Sequence, residues 1–141
     1  METYQEMKNR QQQEVDAFPM AFAFSNKQFE EGMRKLGLAP TDTDKIYKLG
    51  GSGGFFRKSD APALHEMFCR HERERQEAIA ADETGDGFVF QMFNEELANH
   101  EYNYTGELDE TMEALGLTME EINGSQKMVH ALQEAIKTQN Q

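Results

Sequence analysis

Between Gln76 and Gln126 the chain holds thirteen Asp and Glu and not one Lys or Arg. Such a segment cannot neutralise its own surface. It leaves most of the C-terminal half of the chain without counter-charge. The first 75 residues carry twelve acids against twelve bases, and residues 127–141 add two Lys and one Glu. The whole net charge of −12 therefore sits in one stretch of 51 residues. Interspersed signs would cost less in self-repulsion, so the segregation asks for a reason beyond net charge.

At 141 residues the chain is expected to form a single domain over 1–141, with a charge-balanced helix and sheet part (1–82) and an acidic helical part (83–141). That length buries a core without metals or disulfides, and ten Phe with nine Met supply its bulk. Cys69 is the only cysteine, which rules out an intramolecular disulfide and suits a reducing compartment. Met1 to Glu6 lacks the basic and apolar regions of a leader. The longest apolar run, Ala17 to Phe24, is broken by Pro19, so no membrane span is expected. The expected location is the cytoplasm.

Tyr4, Met7, Gln11, Val15 and Phe18 share one face of an opening helix, which Pro19 ends. Met20, Phe22 and Phe24 then alternate with Ala21 and Ala23, the period of a strand. Ser25 with Gln28 makes a capping box for a helix through Phe29, Met33 and Leu36, and Gly37 is its left-handed stop. Lys45–Leu49 and Phe55–Arg57 predict two strands joined by the loop Gly50-Gly51-Ser52-Gly53-Gly54. Ser59-Asp60-Ala61-Pro62 starts a helix that runs to about Ala81. After a Gly85-Asp86-Gly87 turn, helical spacing returns in Phe88, Val89, Met92, Phe93 and Leu97. Tyr102 to Gly106 is a connection. Leu108, Met112 and Leu115 form a short helix closed by Gly116, and Thr118 with Glu121 caps the next. Met128, Val129, Leu132 and Ile136 mark a closing helix. The expected class is α+β, mostly helical, with a small three-stranded sheet from the N-terminal half.

Several strings imitate catalytic or metal motifs. Gly50-x-Ser52-x-Gly54 has the spacing of a nucleophile elbow, but that motif needs a helix directly after it, and Phe55-Phe56-Arg57 reads as strand. The same glycines, with Lys45, Lys48, Arg57 and Lys58 nearby, could cradle an anion through backbone N–H groups. No Gly-Lys-Ser/Thr ending makes them a nucleotide P-loop. Asp82-x-Thr84-x-Asp86-Gly87 opens like a calcium loop, yet Phe93 stands where the bidentate Glu belongs. His65 and Cys69 are one helical turn apart without further ligands in view, and the plain reading is a helix face with a buried Cys and a half-exposed His. Glu113 to Ile122 has helix-turn-helix spacing, but a recognition helix opening Met119-Glu120-Glu121 would set carboxylates against phosphates. No catalytic residue, metal site or cofactor is expected, and the chain is read as a non-enzyme.

What remains is the acidic segment. Its candidate partner-binding residues are Asp82, Glu83, Asp86, Glu95, Glu96, Glu101, Glu107, Asp109, Glu110, Glu113, Glu120 and Glu121. Solubility alone is one account of them. The other is a surface whose field steers basic partners toward it, and cytoplasmic basic surfaces are mostly nucleic-acid channels. On either account no direct contact with nucleic acid and no contact with a membrane is expected.

The run Asp16-Ala17-Phe18-Pro19-Met20-Ala21-Phe22-Ala23-Phe24-Ser25-Asn26-Lys27-Gln28-Phe29-Glu30-Glu31-Gly32 resembles the opening of an uncharacterised family of short proteins from bacteria, phages and mobile elements. Asp44-Lys45-Ile46-Tyr47 with the glycine loop, Asp60 to Phe68, and Glu96 to Tyr102 extend the similarity over nearly the whole chain. The family brings no catalytic residues with it. Its setting, with the size and acidity, is similar to that of anti-CRISPR and antirestriction proteins. The resemblance implies a host-defence inhibitor that binds a basic nucleic-acid-handling protein, such as a Cas9-type nuclease, as a DNA mimic. A non-catalytic accessory module of a phage or plasmid is the alternative, and an enzyme built on the glycine loop is a third reading.

Overall fold

In the computed structural model, which describes residues 1–141, the apolar spacings become eight helices and a three-stranded antiparallel sheet. The helices are α1 (Tyr4–Ala17), α2 (Asn26–Lys35), α3 (Ala61–Ala81), α4 (Phe88–Asn99), α5 (Tyr102–Thr105), α6 (Asp109–Leu115), α7 (Met119–Asn123) and α8 (Gln126–Gln139). The strands are β1 (Ala21–Phe22), β2 (Ile46–Lys48) and β3 (Gly54–Arg57), in the order β1-β3-β2. The expected α+β class holds. None of the helices is long and apolar enough to cross a membrane. The chain divides into two compact units, residues 12–72 and residues 1–11 with 73–141; α1 and α3 each begin in one and end in the other.

In residues 12–72 the central strand β3 has both faces covered. Ala21 pairs with Phe55 and Lys48 with the same residue from the other side, while Phe22 pairs with Gly54 and Tyr47 with Phe56. Paired residues share a face, so Ala21, Phe55 and Ile46 meet Met33 and Leu36 of α2. Phe56 on the opposite face joins Met20, Leu64 and Met67. The approach of α2 requires Gly32, because a β-carbon there would stand 2.7 Å from Phe55 Cζ and 2.9 Å from Ala21 Cβ.

The caps fall where the side chains predict. Gln28 N donates to Ser25 Oγ at 3.2 Å, although Gln28 Oε1 accepts from Phe24 N at 2.7 Å, one residue beyond a standard capping box. Gly37, at φ 75°, ends α2, with Leu38 N folding back to Met33 O at 2.8 Å.

The strand alternation is inverted relative to side-chain bulk. Small Ala21 is buried, whereas Phe22 is 55 % and Phe24 79 % exposed. The reason is room: the α2 side of β1 accepts only a methyl group next to Gly32. Cys69 likewise lies exposed rather than buried, with His65 Nε2 3.5 Å from its sulfur.

The other unit is built around α4. Val89, Met92, Phe93 and Leu97 are buried against Ala131, Leu132 and Ala135 of α8, Met112 and Leu115 of α6, and Ile122 of α7. Burying one such side chain contributes about 1.5–3 kcal/mol. The first residues of the chain close this core, with Tyr4 stacked edge-on to Phe88 at 5.5 Å between ring centroids and its backbone N–H donating to Gln91 Oε1. Ala131 and Ala135 let α8 lie close to α4, and neither was among the apolar positions that announced the helix.

Candidate functional site

The acidic segment runs from the end of α3 to the start of α8, and the short helices α6 and α7 carry five of its thirteen acids. Asp109 and Glu110 occupy the first turn of α6, Glu120 and Glu121 that of α7. Carboxylates there complement the positive end of the helix dipole, so part of the acidity stabilises helices too short to persist alone. Thr118 Oγ1 caps α7 by accepting from Glu121 N at 3.1 Å, and the Glu121 carboxylate accepts from the same hydroxyl. Between α4 and α5 the chain turns at Glu101, whose φ of 56° makes it the one non-glycine residue in the left-handed region.

The twelve candidate residues do not form one set. Glu83, Asp86, Glu101, Glu107, Asp109, Glu110, Glu113, Glu120 and Glu121 are exposed. Of these, Glu83, Glu101, Glu107, Asp109, Glu113, Glu120 and Glu121 have no cationic partner. Asp86 Oδ1 lies 2.6 Å from His130 Nε2. The other three candidates do different work. Asp82 is half-buried, and its carboxylate accepts from the backbone N–H groups of Gly85, Gly87 and Val89 at 3.0–3.1 Å, holding the turn that starts α4. Burial raises the Glu95 carboxyl above its ordinary pKa.

Glu96 is buried, with 5 % exposure, and is not the surface residue its charge suggested. Its Oε1 meets Lys8 Nζ at 2.5 Å and Asn99 Nδ2 at 3.1 Å. Lys8 comes from α1 and supplies counter-charge that the acidic stretch lacks. His100 stands between two carboxylates, with Nε2 3.7 Å from Glu96 and Nδ1 3.7 Å from Glu110, and so links α4 to α6. Burial, then the nearby Glu96 charge, pushes the Tyr4 hydroxyl well above the usual tyrosine range.

The sequence profile of a family of unknown function, DUF7659, matches residues 3–138. The chain belongs to that family. No curated protein and no solved structure matches it. The match agrees with the resemblance to an uncharacterised family along nearly the whole sequence.

Within this DUF7659 member the motif-like strings have structural occupations. Ser52 Oγ donates to Leu49 O at 2.7 Å and accepts from Gly54 N at 3.2 Å, which pins the glycine loop. A strand follows it, as the sequence indicated. Phe93, at the twelfth position of the calcium-like string, is fully buried in the core. No three His, Cys, Asp or Glu side chains come together as a metal cluster. What sequence reasoning missed in the acidic stretch is apolar: Tyr104 is 91 % and Met119 43 % exposed. Tyr104 had a signal, since it lies in the short Tyr102–Gly106 connection and outside every helical stripe.

Proposed function

We propose that this protein is a host-defence inhibitor, most concretely an anti-CRISPR protein that binds a Cas9-type nuclease through an acidic surface and blocks DNA binding or cleavage. One observation carries the reading. Seven exposed carboxylates between Glu83 and Glu121 have no cationic partner, in a stretch of chain without a single Lys or Arg. Carboxylates left free for solvent raise a field that draws Lys- and Arg-lined channels, where phosphates normally sit. The resemblance to proteins of phages and mobile elements supplies the biological setting.

The same surface supports a second reading, a non-catalytic interaction module of a phage or plasmid. Tyr104 favours it, because an exposed tyrosine within a polar rim is the usual anchor of a protein–protein contact.

The test is a cleavage assay with a Cas9-type nuclease, with binding titrated across salt. Inhibition and affinity are expected to fall as salt rises, because an attraction between exposed charges is screened. Reversal of Glu107, Asp109 and Glu113 to Lys is expected to slow association, and reversal of Glu30 and Glu66, which lie outside the acidic segment, to leave it unchanged. Inhibition that survives the first set and fails with the second refutes the acidic-surface reading. Absence of binding to any such nuclease leaves the interaction-module reading in its place.

A further inference from the structure

A cavity of about 540 Å³ in residues 12–72 opens between the first turn of α2, Thr43 and the glycine loop joining β2 to β3. Its inner wall is aromatic. Phe55 is buried, and Phe29 packs its ring 5.1 Å from that of Phe55. Phe24 stands at the rim, one side of its ring against Gly53 and the rest open to solvent.

The polar lining is equally selective. Asn26, Thr43 and Lys48 contribute side chains that make no bond within the protein, and no carboxylate lines the cavity although the chain has 26 Asp and Glu. Of the cations in residues 12–72, Lys45 pairs with Asp42, Arg57 with Asp60, Lys35 donates to the Met20 carbonyl, and Lys58 stands over the Tyr47 ring. Lys48 is left facing the cavity. Of the cations named beside the glycine loop as an anion cradle, it is the one that lines this space.

We propose that this cavity binds an aromatic anion of mononucleotide size, its ring stacked on Phe24 and Phe29 and its phosphate at Lys48 and Asn26. The volume lies within the range of small-ligand sites, which are mostly apolar with a few convergent polar groups. The aromatic wall makes a bare inorganic anion a poor occupant, and the absence of carboxylates disfavours a cation. A single lysine matches one phosphate rather than a polyphosphate. Stacking of a base on an exposed phenylalanine is favourable for every base, so the site selects ring and charge rather than base identity. The site rests on residues 12–72 alone and stands whether or not the acidic segment meets a nuclease.

The full chain, labelled with ¹⁵N, is titrated with AMP, adenosine, inorganic phosphate and a 5′-phosphorylated hexanucleotide. AMP is expected to shift the amide resonances of Asn26, Lys48 and Gly53 to saturation, with adenosine and phosphate each at least about tenfold weaker. Lys48→Gln and Phe24→Ala are each expected to weaken AMP by about tenfold without lowering the melting temperature. A hexanucleotide that binds tighter than AMP assigns the ligand to a strand end, and one that binds more weakly assigns it to a free nucleotide. No saturable shift with AMP at about 10 mM, or undiminished affinity in the folded Lys48→Gln variant, overturns the proposal.

Discussion

The ring of Phe24 lies against Gly53 so closely that a β-carbon on the glycine would stand 2.8 Å from the phenylalanine Cε1. Phe22 has the same relation to Gly54, also at 2.8 Å. Two large, exposed rings thus rest on bare backbone. Gly53→Ala is expected to cost about 1–3 kcal/mol, because the ring must move and because φ is 78° there. Pairing it with Phe24→Ala should recover only part of that loss, since the Ala23 carbonyl also stands 3.0 Å from the new methyl group. Urea unfolding of the two variants measures both numbers.

The acid limb of stability should carry the signature of Glu14. Its carboxylate is bonded by Arg70 and, at 3.2 Å, by His71, which holds its pKa down at about 2 against an ordinary 4.5. A lowered native pKa contributes stability wherever the group is ionised in both states, and that contribution fades as protons reach the native carboxylate. Glu14→Gln should therefore be less stable than wild type above about pH 4.5, with the gap closing as pH falls toward 2. A gap that stayed constant across that window in urea titrations would remove Glu14 from the account.

Asp82 should behave as a structural cap and not as a cation ligand. Asp82→Ala releases three backbone N–H groups at the start of α4 and is expected to cost about 2 kcal/mol in thermal or chemical unfolding. Melting curves in EDTA and in millimolar calcium should coincide. A shift of several degrees between them would reveal a bound ion stabilising the native state.

Glu96 separates charge that stabilises the fold from charge offered to a partner. Glu96→Ala removes the partner of Lys8 and Asn99 from a buried position, and a loss of about 2 kcal/mol is expected. Glu113→Ala, fully outside the core, should change stability by less than about 0.5 kcal/mol. Comparable losses for the two would mean that the burial of Glu96 does not govern its energetics.

Local signals were the legible part of this fold. Ser25, Gly37, Gly116 and Thr118 mark helix ends by side-chain chemistry that acts within four residues, and each does so in the structure. The stripe Val89, Met92, Phe93 and Leu97 needs no distant partner to be recognised. Glu96 was legible in the same way, since it lies three residues after Phe93 and four after Met92, on the buried side; its charge diverted attention from its position. The orientation of β1 was not legible, because alternation gives two faces without saying which is inner. That choice is made by Gly32 and Phe55, ten and more residues away. Counter-charge for the acidic segment was equally out of reach, since Lys8 reaches Glu96 across 88 positions.

The division at residues 11 and 72 has a consequence for how the chain is made. Residues 12–72 are contiguous, so their sheet and both of its covering clusters can close while later residues are still being synthesised. The opening eleven residues must wait. Tyr4 meets Phe88 and Gln91, and Lys8 meets Glu96, only after the intervening insert has left the ribosome. Such loop closures are slow for reasons of topology alone. Until α6, α7 and α8 follow, α4 also exposes Val89 and Phe93, which those helices cover. Nascent chains arrested once residue 100 has emerged from the ribosome should then engage chaperones more readily than chains arrested once residue 72 has emerged.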